Sequence, residues 1–145
     1  MVVADTSPLH YLVLVQVVEI LPPLFRQVLI PEEVHHELLQ EKTPPAVRSW
    51  ITDRPSWLEV VRIDWSVPRV IPDLDAGEAA AILLAEQQGP NTFLLMDDAK
   101  GRREATKRGL ASTGTLGVLR AGSRAGLLRL REVNATLIEN ELLCF

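Results

Sequence analysis

Cysteine and aromatic residues are scarce in this chain of 145 residues. It contains one cysteine, Cys144, together with three Trp, three Phe and one Tyr. A single cysteine cannot close a disulfide within the chain, which excludes a disulfide-stabilised secreted scaffold and suits a reducing compartment. The Trp residues lie outside the basic part of the sequence, so no aromatic platform for stacking bases is visible there.

Long hydrophobic runs are also missing. The longest near the start, from Leu12 to Val15, is followed by Gln16 and Glu19, whereas a membrane-spanning helix needs about 20 apolar residues. No basic leader with a small-residue cleavage site is visible either. Because 47% of the residues are hydrophobic, a sizeable core can form. We therefore expect one soluble, cytoplasmic domain over residues 1–145.

The net charge of −4 hides an uneven distribution of charged side chains. Residues 1–98 carry 15 acidic and 6 basic side chains, whereas residues 99–131 carry 9 basic and 1 acidic. Clustered Lys and Arg create a local positive field whatever the net charge, which indicates a polyanionic partner. The alternative is an ordinary solvated helix face.

Short apolar runs alternate with amphipathic stretches along the chain. Strands are predicted at residues 2–4, 27–30, 57–63, 93–96 and 110–112. Helices are predicted after Ser7 as N-cap, from Pro31, near 47–51, at 76–88, at 99–108 and from 113–115 onward. Pro22-Pro23 is expected to end the first helix. Strands separated by helices favour a doubly wound α/β fold with a parallel sheet.

Two of the predicted strands end directly in acidic residues. The first ends in Asp5 and the fourth in Asp97-Asp98. Because parallel strands share one direction, their carboxyl ends line one crevice, where ligands of such folds bind. Two acids on predicted helices, Glu37 and Glu78, are placed to join them. The sequence therefore predicts an acidic cleft at one edge of the sheet.

Several carboxylates in one cleft repel one another, and a cation resolves the conflict. Hard divalent ions such as Mg²⁺ or Mn²⁺ take oxygen ligands and support metal-assisted hydrolysis. The competing interpretation is that Asp5 and Asp98 only cap the helices that follow them, as we expect of Asp75. His10 and the adjacent His35-His36 are interpreted as structural, since two neighbouring residues on a helix point to different faces.

The basic segment has a helical geometry of its own. Lys100, Arg103 and Lys107 share one face of the helix that follows Asp98, and Arg102 flanks that face. Positive charge beside an acidic cleft is what a polyanion needs, because its phosphates must be attracted next to carboxylates that repel them. We expect these four basic residues to contact phosphates.

Five sequence blocks occur in an order that resembles the PIN domain. They are VVADTSPL, VLIPEEVHHEL, DLDAGEAAAILLA, FLLMDDAKGRREA and STGTLGVL. The resemblance covers most of the chain and fails mainly between Glu41 and Asp73 and after about Leu128. It is greatest to a small prokaryotic subfamily similar to the VapC toxins of type II toxin–antitoxin modules.

The resemblance implies a three-layer α/β/α fold and a ribonuclease that uses Mg²⁺ or Mn²⁺. It implies catalytic roles for Asp5, Glu37, Glu78 and Asp98, with Asp97 as the alternative ligand in the fourth block. It implies that the hydroxyls of Thr6 and Ser7 support Asp5, and that Thr113 and Thr115 are supporting residues near the end of the last strand. As partners it implies an RNA substrate, a second copy of the chain in a homodimer, and a small antitoxin protein.

Three other functions compete with this interpretation. A haloacid-dehalogenase-like phosphatase needs a second Asp two residues after the first, where this chain has Ser7. A receiver-like phosphoacceptor module expects its acid pair near the first strand, whereas Asp97-Asp98 follows a late one. A catalytically silent PIN-like module that binds RNA or an antitoxin is the third.

Overall fold

The chain folds around a five-stranded sheet in which all strands are parallel. The structure, a computed structural model, describes residues 1–64, 70–129 and 132. The strand order is β3-β2-β1-β4-β5. The strands are β1 (Val2–Ala4), β2 (Val28–Pro31), β3 (Leu58–Val61), β4 (Phe93–Leu95) and β5 (Ala111–Thr113). The expected α/β fold with a central parallel sheet is confirmed.

Seven α-helices connect and flank these strands in the described part of the chain. They are α1 (Thr6–Leu14), α2 (Leu21–Phe25), α3 (Glu32–Leu38), α4 (Pro45–Thr52), α5 (Ala76–Gln88), α6 (Ala99–Lys107) and α7 (Thr115–Arg124). A short 3-10 turn, Val18–Ile20, precedes α2. No single helix among them is long and apolar enough to cross a membrane. Among the residues that the structure describes, only α1 together with Val18–Phe25 reaches the length and composition of a span, and that pair bends by 117°.

The central strands are buried on both faces, which produces three layers. Alternate side chains of a strand point to opposite faces. Val2 and Ala4 therefore pack with buried residues of α1, α3, α4 and α7, whereas Val3 packs with those of α5 and α6. Hydrophobic strands of this kind need helices on both sides, because either bare face would leave their side chains in water.

Helix α5 is the most deeply buried helix, and its sequence explains why. Eight of its residues are buried, and half of them are alanine, so the helix packs closely on the sheet while also contacting α3 and α6. It begins at the Asp75 cap and ends before Gly89, whose φ of 100° favours glycine. Its bounds are those predicted from the sequence. This packing places the first turn of α5 at the carboxyl edge of the sheet.

The start of the chain differs from the prediction. The first helix begins at Thr6, with Asp5 rather than Ser7 in the N-cap position, and it ends at Leu14. Pro22-Pro23 does not end that helix but occupies the first turn of α2. Proline is tolerated there because the first N–H groups of a helix have no partner within the helix. The prolines therefore begin a helix where they were expected to end one.

Other boundaries shift by only one or two residues. Strand β3 ends at Val61, and Thr113 belongs to β5 rather than to the start of α7. The sequence predicts that the last helix continues towards the end of the chain, but this is wrong for the described residues: α7 ends at Arg124, and residues 125–129 are not helical. The rest of that prediction from residue 133 onward, Cys144 and part of the loop at 64–73 lie outside the described residues.

Candidate active site

The acidic residues lie at the point where the sheet reverses its order. From β1 the chain proceeds to β2 and β3 on one side, and β4 and β5 lie on the other. Such a switch point opens a crevice at the carboxyl ends of the two strands beside it. Asp5 follows β1 and Asp97-Asp98 follows β4, and the Asp5 N–H donates to the carbonyl oxygen of Leu95 at 2.9 Å. The fold thus brings both acidic strand ends to one crevice.

A cleft of about 530 Å³ opens at this place, and we call it the acidic cleft. Its wall contains five residues that the sequence singled out: Asp5, Thr6, Ser7, Glu37 and Glu78. They come from α1, α3 and α5 and from the corner after β1. Residues up to 73 positions apart in the chain therefore share one surface.

Asp5 is the most deeply buried carboxylate of the acidic cleft. Only 4% of its surface is exposed. Burial raises the pKa of its carboxyl to about 8, the N–H of Thr6 opposes that rise, and the charges of Asp75, Glu78 and Glu37 add to it. The helix-cap interpretation explains only the position of Asp5, because its side chain makes no capping hydrogen bond.

Glu37 is held by a hydroxyl from another helix. Thr6 Oγ1 donates to Glu37 Oε2 at 2.6 Å. The resemblance implied that Thr6 supports Asp5 through its hydroxyl, whereas the structure places that hydroxyl on Glu37. The two residues are 31 positions apart, so no local pattern in the sequence indicates this bond.

Glu78 has a structural bond and a place in the acidic cleft. It forms a capping box with Asp75, in which Asp75 Oδ1 accepts from the Glu78 N–H at 2.8 Å and Glu78 Oε1 from the Asp75 N–H at 3.0 Å. The cap predicted at Asp75 is thus confirmed. Burial raises the pKa of Glu78, a backbone hydrogen bond opposes the rise, and the charges of Asp75 and Asp98 add to it. Asp98 is therefore close enough to influence the acidic cleft.

The two adjacent acids after β4 have different partners. Asp98 Oδ2 accepts from the Gly101 N–H at 2.7 Å and so caps α6. Asp97 receives two bonds from one residue, from the Thr115 N–H to Oδ1 at 2.6 Å and from Thr115 Oγ1 to Oδ2 at 2.7 Å. It lines a separate pocket with Thr113 and Thr115. Asp97 thus joins the end of β4 to the start of α7.

Comparison with known proteins identifies the family. The chain matches the DUF3368 family, described as a PIN domain, over residues 1–142. The chain belongs to the PIN domain family. A PilT N-terminus domain protein from the hyperthermophilic archaeon Sulfolobus solfataricus P2 has a similar structure, with a TM-score of 0.60 and 16% sequence identity. The match covers 83% of this chain and 92% of that one. Comparison with curated protein sequences gives no significant match.

The acidic cleft of this PIN domain also contains residues that sequence reasoning did not select. His10, interpreted above as structural, lies on its wall, as do Gln40, Lys42 and Thr43. His10 is four residues after Thr6 in α1 and so shares its face of the helix, which is the signal that could have found it. The other three follow α3 in a segment without a helical or strand pattern, so nothing local indicated them.

The donor chemistry of the acidic cleft suits a hard divalent ion. Among residues 1–64, 70–129 and 132, no group of three His, Cys, Asp or Glu side chains stands ready-made as a metal site. Within that same part of the chain, no ion pair neutralises Asp5, Glu37 or Glu78. Mg²⁺ needs only one or two carboxylates, with water completing its shell. The residues present therefore fit Mg²⁺ or Mn²⁺.

Helix α6 of this PIN domain carries two kinds of basic side chain. Lys100, Arg103 and Lys107 are exposed and line a groove of about 410 Å³, which we call the basic groove. Arg102 instead donates from Nη1 to the carbonyl oxygen of Asp97 at 3.1 Å. Arg108, directly after the helix, pairs with Glu86 at 2.7 Å and with Glu104 at 3.2 Å. Three of the four predicted phosphate contacts are therefore exposed, and the fourth is bound to the backbone.

Proposed function

We propose that this PIN domain is an endoribonuclease that depends on Mg²⁺ or Mn²⁺. The observation that carries the proposal is that Asp5, Glu37 and Glu78 meet in one cleft, with Asp98 near Glu78, and that no residue in the described part of the chain forms an ion pair with any of the first three. Unpaired carboxylates in a partly buried cleft raise one another's pKa values, and a bound cation relieves that repulsion. Such a cluster is unfavourable without a cation, which suits a site built for one.

The chain's own residues have distinct tasks in this proposal. Asp5, Glu78 and Asp98 would hold the ion, either directly or through its bound waters, and Asp97 would act indirectly by fixing the end of β4. A bound Mg²⁺ or Mn²⁺ would supply an activated water and stabilise charge on the phosphate. Glu37 keeps one carboxylate orientation through Thr6, and Lys42 places a positive charge on the wall of the acidic cleft for the RNA phosphate.

The proposal predicts metal-dependent cleavage that requires Glu78. We expect the purified protein to cleave RNA with Mg²⁺ or Mn²⁺ and to stop when EDTA is added. Glu78→Gln should reduce the rate by about 100-fold or more, because it removes the charge but keeps a residue that supports the capping box. The measurement is cleavage of a labelled RNA, with thermal unfolding as the check on folding.

A matched control is Glu19→Gln, which removes an exposed acid in the 3-10 turn beyond the far end of α1. It should cleave at the wild-type rate. Full activity in Glu78→Gln, or cleavage that persists in EDTA, would reject the metal-dependent site. RNA binding without cleavage by the wild type would support the catalytically silent alternative.

The exposed basic residues of α6 are proposed to bind the RNA backbone. Replacing Lys100, Arg103 and Lys107 together with Ala should weaken RNA binding and reduce the slope of log affinity against log salt by about 2, since three phosphate contacts are lost. Arg108→Ala is the control, because it should lower stability through its lost pairs with Glu86 and Glu104 while leaving the slope unchanged. An unchanged slope in the triple variant would show that these residues are only solvated.

The toxin of a type II toxin–antitoxin module is the more specific candidate role. It is favoured by the five sequence blocks, which occur in the order of the VapC-like subfamily. This role adds a small antitoxin and a homodimer as partners. The discriminating observation is a neighbouring reading frame that encodes a small protein able to block the cleavage.

A further inference from the structure

Gly77 stands where a glycine is unfavourable for its own helix. It is buried in the first turn of α5, a helix otherwise rich in alanine and leucine. Glycine is the poorest helix former apart from proline. The positive-φ residues of the described chain do not include Gly77, so its backbone conformation does not require glycine. The presence of glycine at position 77, which weakens α5, therefore needs an explanation other than backbone conformation.

The space beside Gly77 is occupied by the carboxylate of Glu37. A Cβ atom at position 77 would collide with Glu37 Oε1 and would lie 2.8 Å from Glu37 Cδ and 3.0 Å from Oε2. Real Cβ atoms are essentially never found closer than 3.0 Å to such atoms, and ordinary van der Waals contacts lie at 3.4–4 Å. The carboxylate of Glu37 therefore lies against the bare backbone of α5, and any side chain at position 77 would displace it.

Two further bonds hold Glu37 from the other directions. The Thr6 hydroxyl of α1 binds Oε2 at 2.6 Å, and the Thr43 hydroxyl donates to the Glu37 carbonyl oxygen at 3.0 Å. The backbone and the carboxylate of Glu37 are thus fixed by separate elements. A carboxylate with one bonded oxygen and a wall of bare backbone has little freedom to rotate.

We infer that Gly77 and Thr6 are positioning residues for Glu37. Gly77 provides the space and Thr6 provides the hydrogen bond, and together they aim the Glu37 carboxylate into the acidic cleft beside Asp5 and Glu78. The contacts of Glu37 with Gly77 and Thr6 do not depend on whether the protein is active. Only the catalytic consequence rests on the proposed function, so the two can be tested apart.

A thermodynamic cycle tests the positioning without an activity measurement. Gly77→Ala should lower the midpoint of thermal unfolding by about 4 °C or more, because its Cβ displaces Glu37. In a Glu37→Ala background the same substitution should leave the midpoint unchanged or raise it, since only the gain in helix propensity remains. Equal shifts in the two backgrounds would overturn the inference, whether or not the protein cleaves RNA.

Cleavage kinetics test the catalytic consequence. Gly77→Ala should reduce kcat by about 10- to 100-fold with little change in KM, because it misplaces one carboxylate without touching the basic groove. Combining Gly77→Ala with Glu37→Asp should recover part of the loss, as the shorter side chain leaves room for the new methyl group. Thr6→Ser, which keeps the hydroxyl, should retain kcat and Thr6→Val should not. Wild-type kcat in Gly77→Ala, or equal kcat in both Thr6 variants, would overturn this consequence.

Discussion

Asp5→Asn is expected to abolish RNA cleavage and at the same time to stabilise the metal-free protein at pH 8. The carboxylate of Asp5 is buried among other acids, so its charged form is costly in the folded state. Asparagine has the same shape without the charge, and its amide group can donate to the neighbouring carboxylates. Removing the charge of Asp5 should thus abolish the proposed activity and also increase the free energy of unfolding.

The pH dependence of stability follows from the same carboxyl group. Its pKa is about 8 in the folded protein against 3.8 as the ordinary value, so the folded state holds this proton more tightly than the unfolded state. The contribution of Asp5 is therefore most favourable below about pH 4 and is lost as pH rises from 4 to 8. At pH 8 the free energy of unfolding of the Asn variant should exceed that of the wild type by about 5 kcal/mol.

Urea unfolding at pH 5 and pH 8 without divalent ions measures this effect. Adding Mg²⁺ should stabilise the wild type and not the variant, because an ion that binds only the folded state shifts the equilibrium towards it. Asp53→Asn, at an exposed acid after α4, is the control. It should change neither the free energy of unfolding at pH 8 nor the stabilisation by Mg²⁺. A variant that still cleaves RNA, or that is less stable than the wild type at pH 8, would contradict the assignment of Asp5.

Asp97 and Asp98 are expected to differ sharply when each is replaced. Asp97→Ala leaves the Thr115 N–H and hydroxyl without their acceptor and disconnects β4 from α7. Hydrogen bonds to a charged group contribute more than neutral ones, so we expect a loss of about 2 to 4 kcal/mol in the free energy of unfolding. Asp98→Asn keeps a good N-cap residue at α6 but removes a charge near Glu78. It should lose cleavage by about 100-fold with little change in stability.

Paired measurements of unfolding and cleavage on the same preparations separate these roles. Asp97→Asn is the useful intermediate, because its amide oxygen can still accept from the Thr115 N–H. It should recover most of the stability that Asp97→Ala loses. If Asp98→Asn cleaves normally while Asp97→Asn folds normally and is inactive, the metal ligand after β4 is Asp97 instead.

The sequence predicted well what depends on neighbours in the chain. Helix α5 has the predicted bounds because a cap at Asp75 and a stop at Gly89 are local signals. Asp5 and Asp98 were placed at the same edge because the parallel sheet requires it. The sequence did not predict bonds between elements, such as the Thr6 hydroxyl on Glu37 or the Thr115 hydroxyl on Asp97. These depend on how helices cross the sheet, and their partners are 31 and 18 residues apart.

The arginines in and directly after α6 also show that the sequence does not predict contacts between elements. Arg102, Arg103 and Arg108 look alike in the sequence, yet within the described residues the side chains of Arg102 and Arg108 have hydrogen-bond partners and that of Arg103 has none. Arg102 binds a backbone carbonyl at the end of β4, and Arg108 binds acids of α5 and α6. Helical spacing indicates which face a side chain shares, but not whether a neighbouring element already offers it a partner.

The burial of α5 along its length limits how proteins with this architecture can diverge. A helix enclosed by the sheet, α3 and α6 accepts in its middle only residues close in volume to those present. Its exposed residues are confined to Ala76 and the final turn. Under the proposed function, we therefore expect changes in substrate preference in the segments at 40–44 and 70–74, which border the acidic cleft and the basic groove.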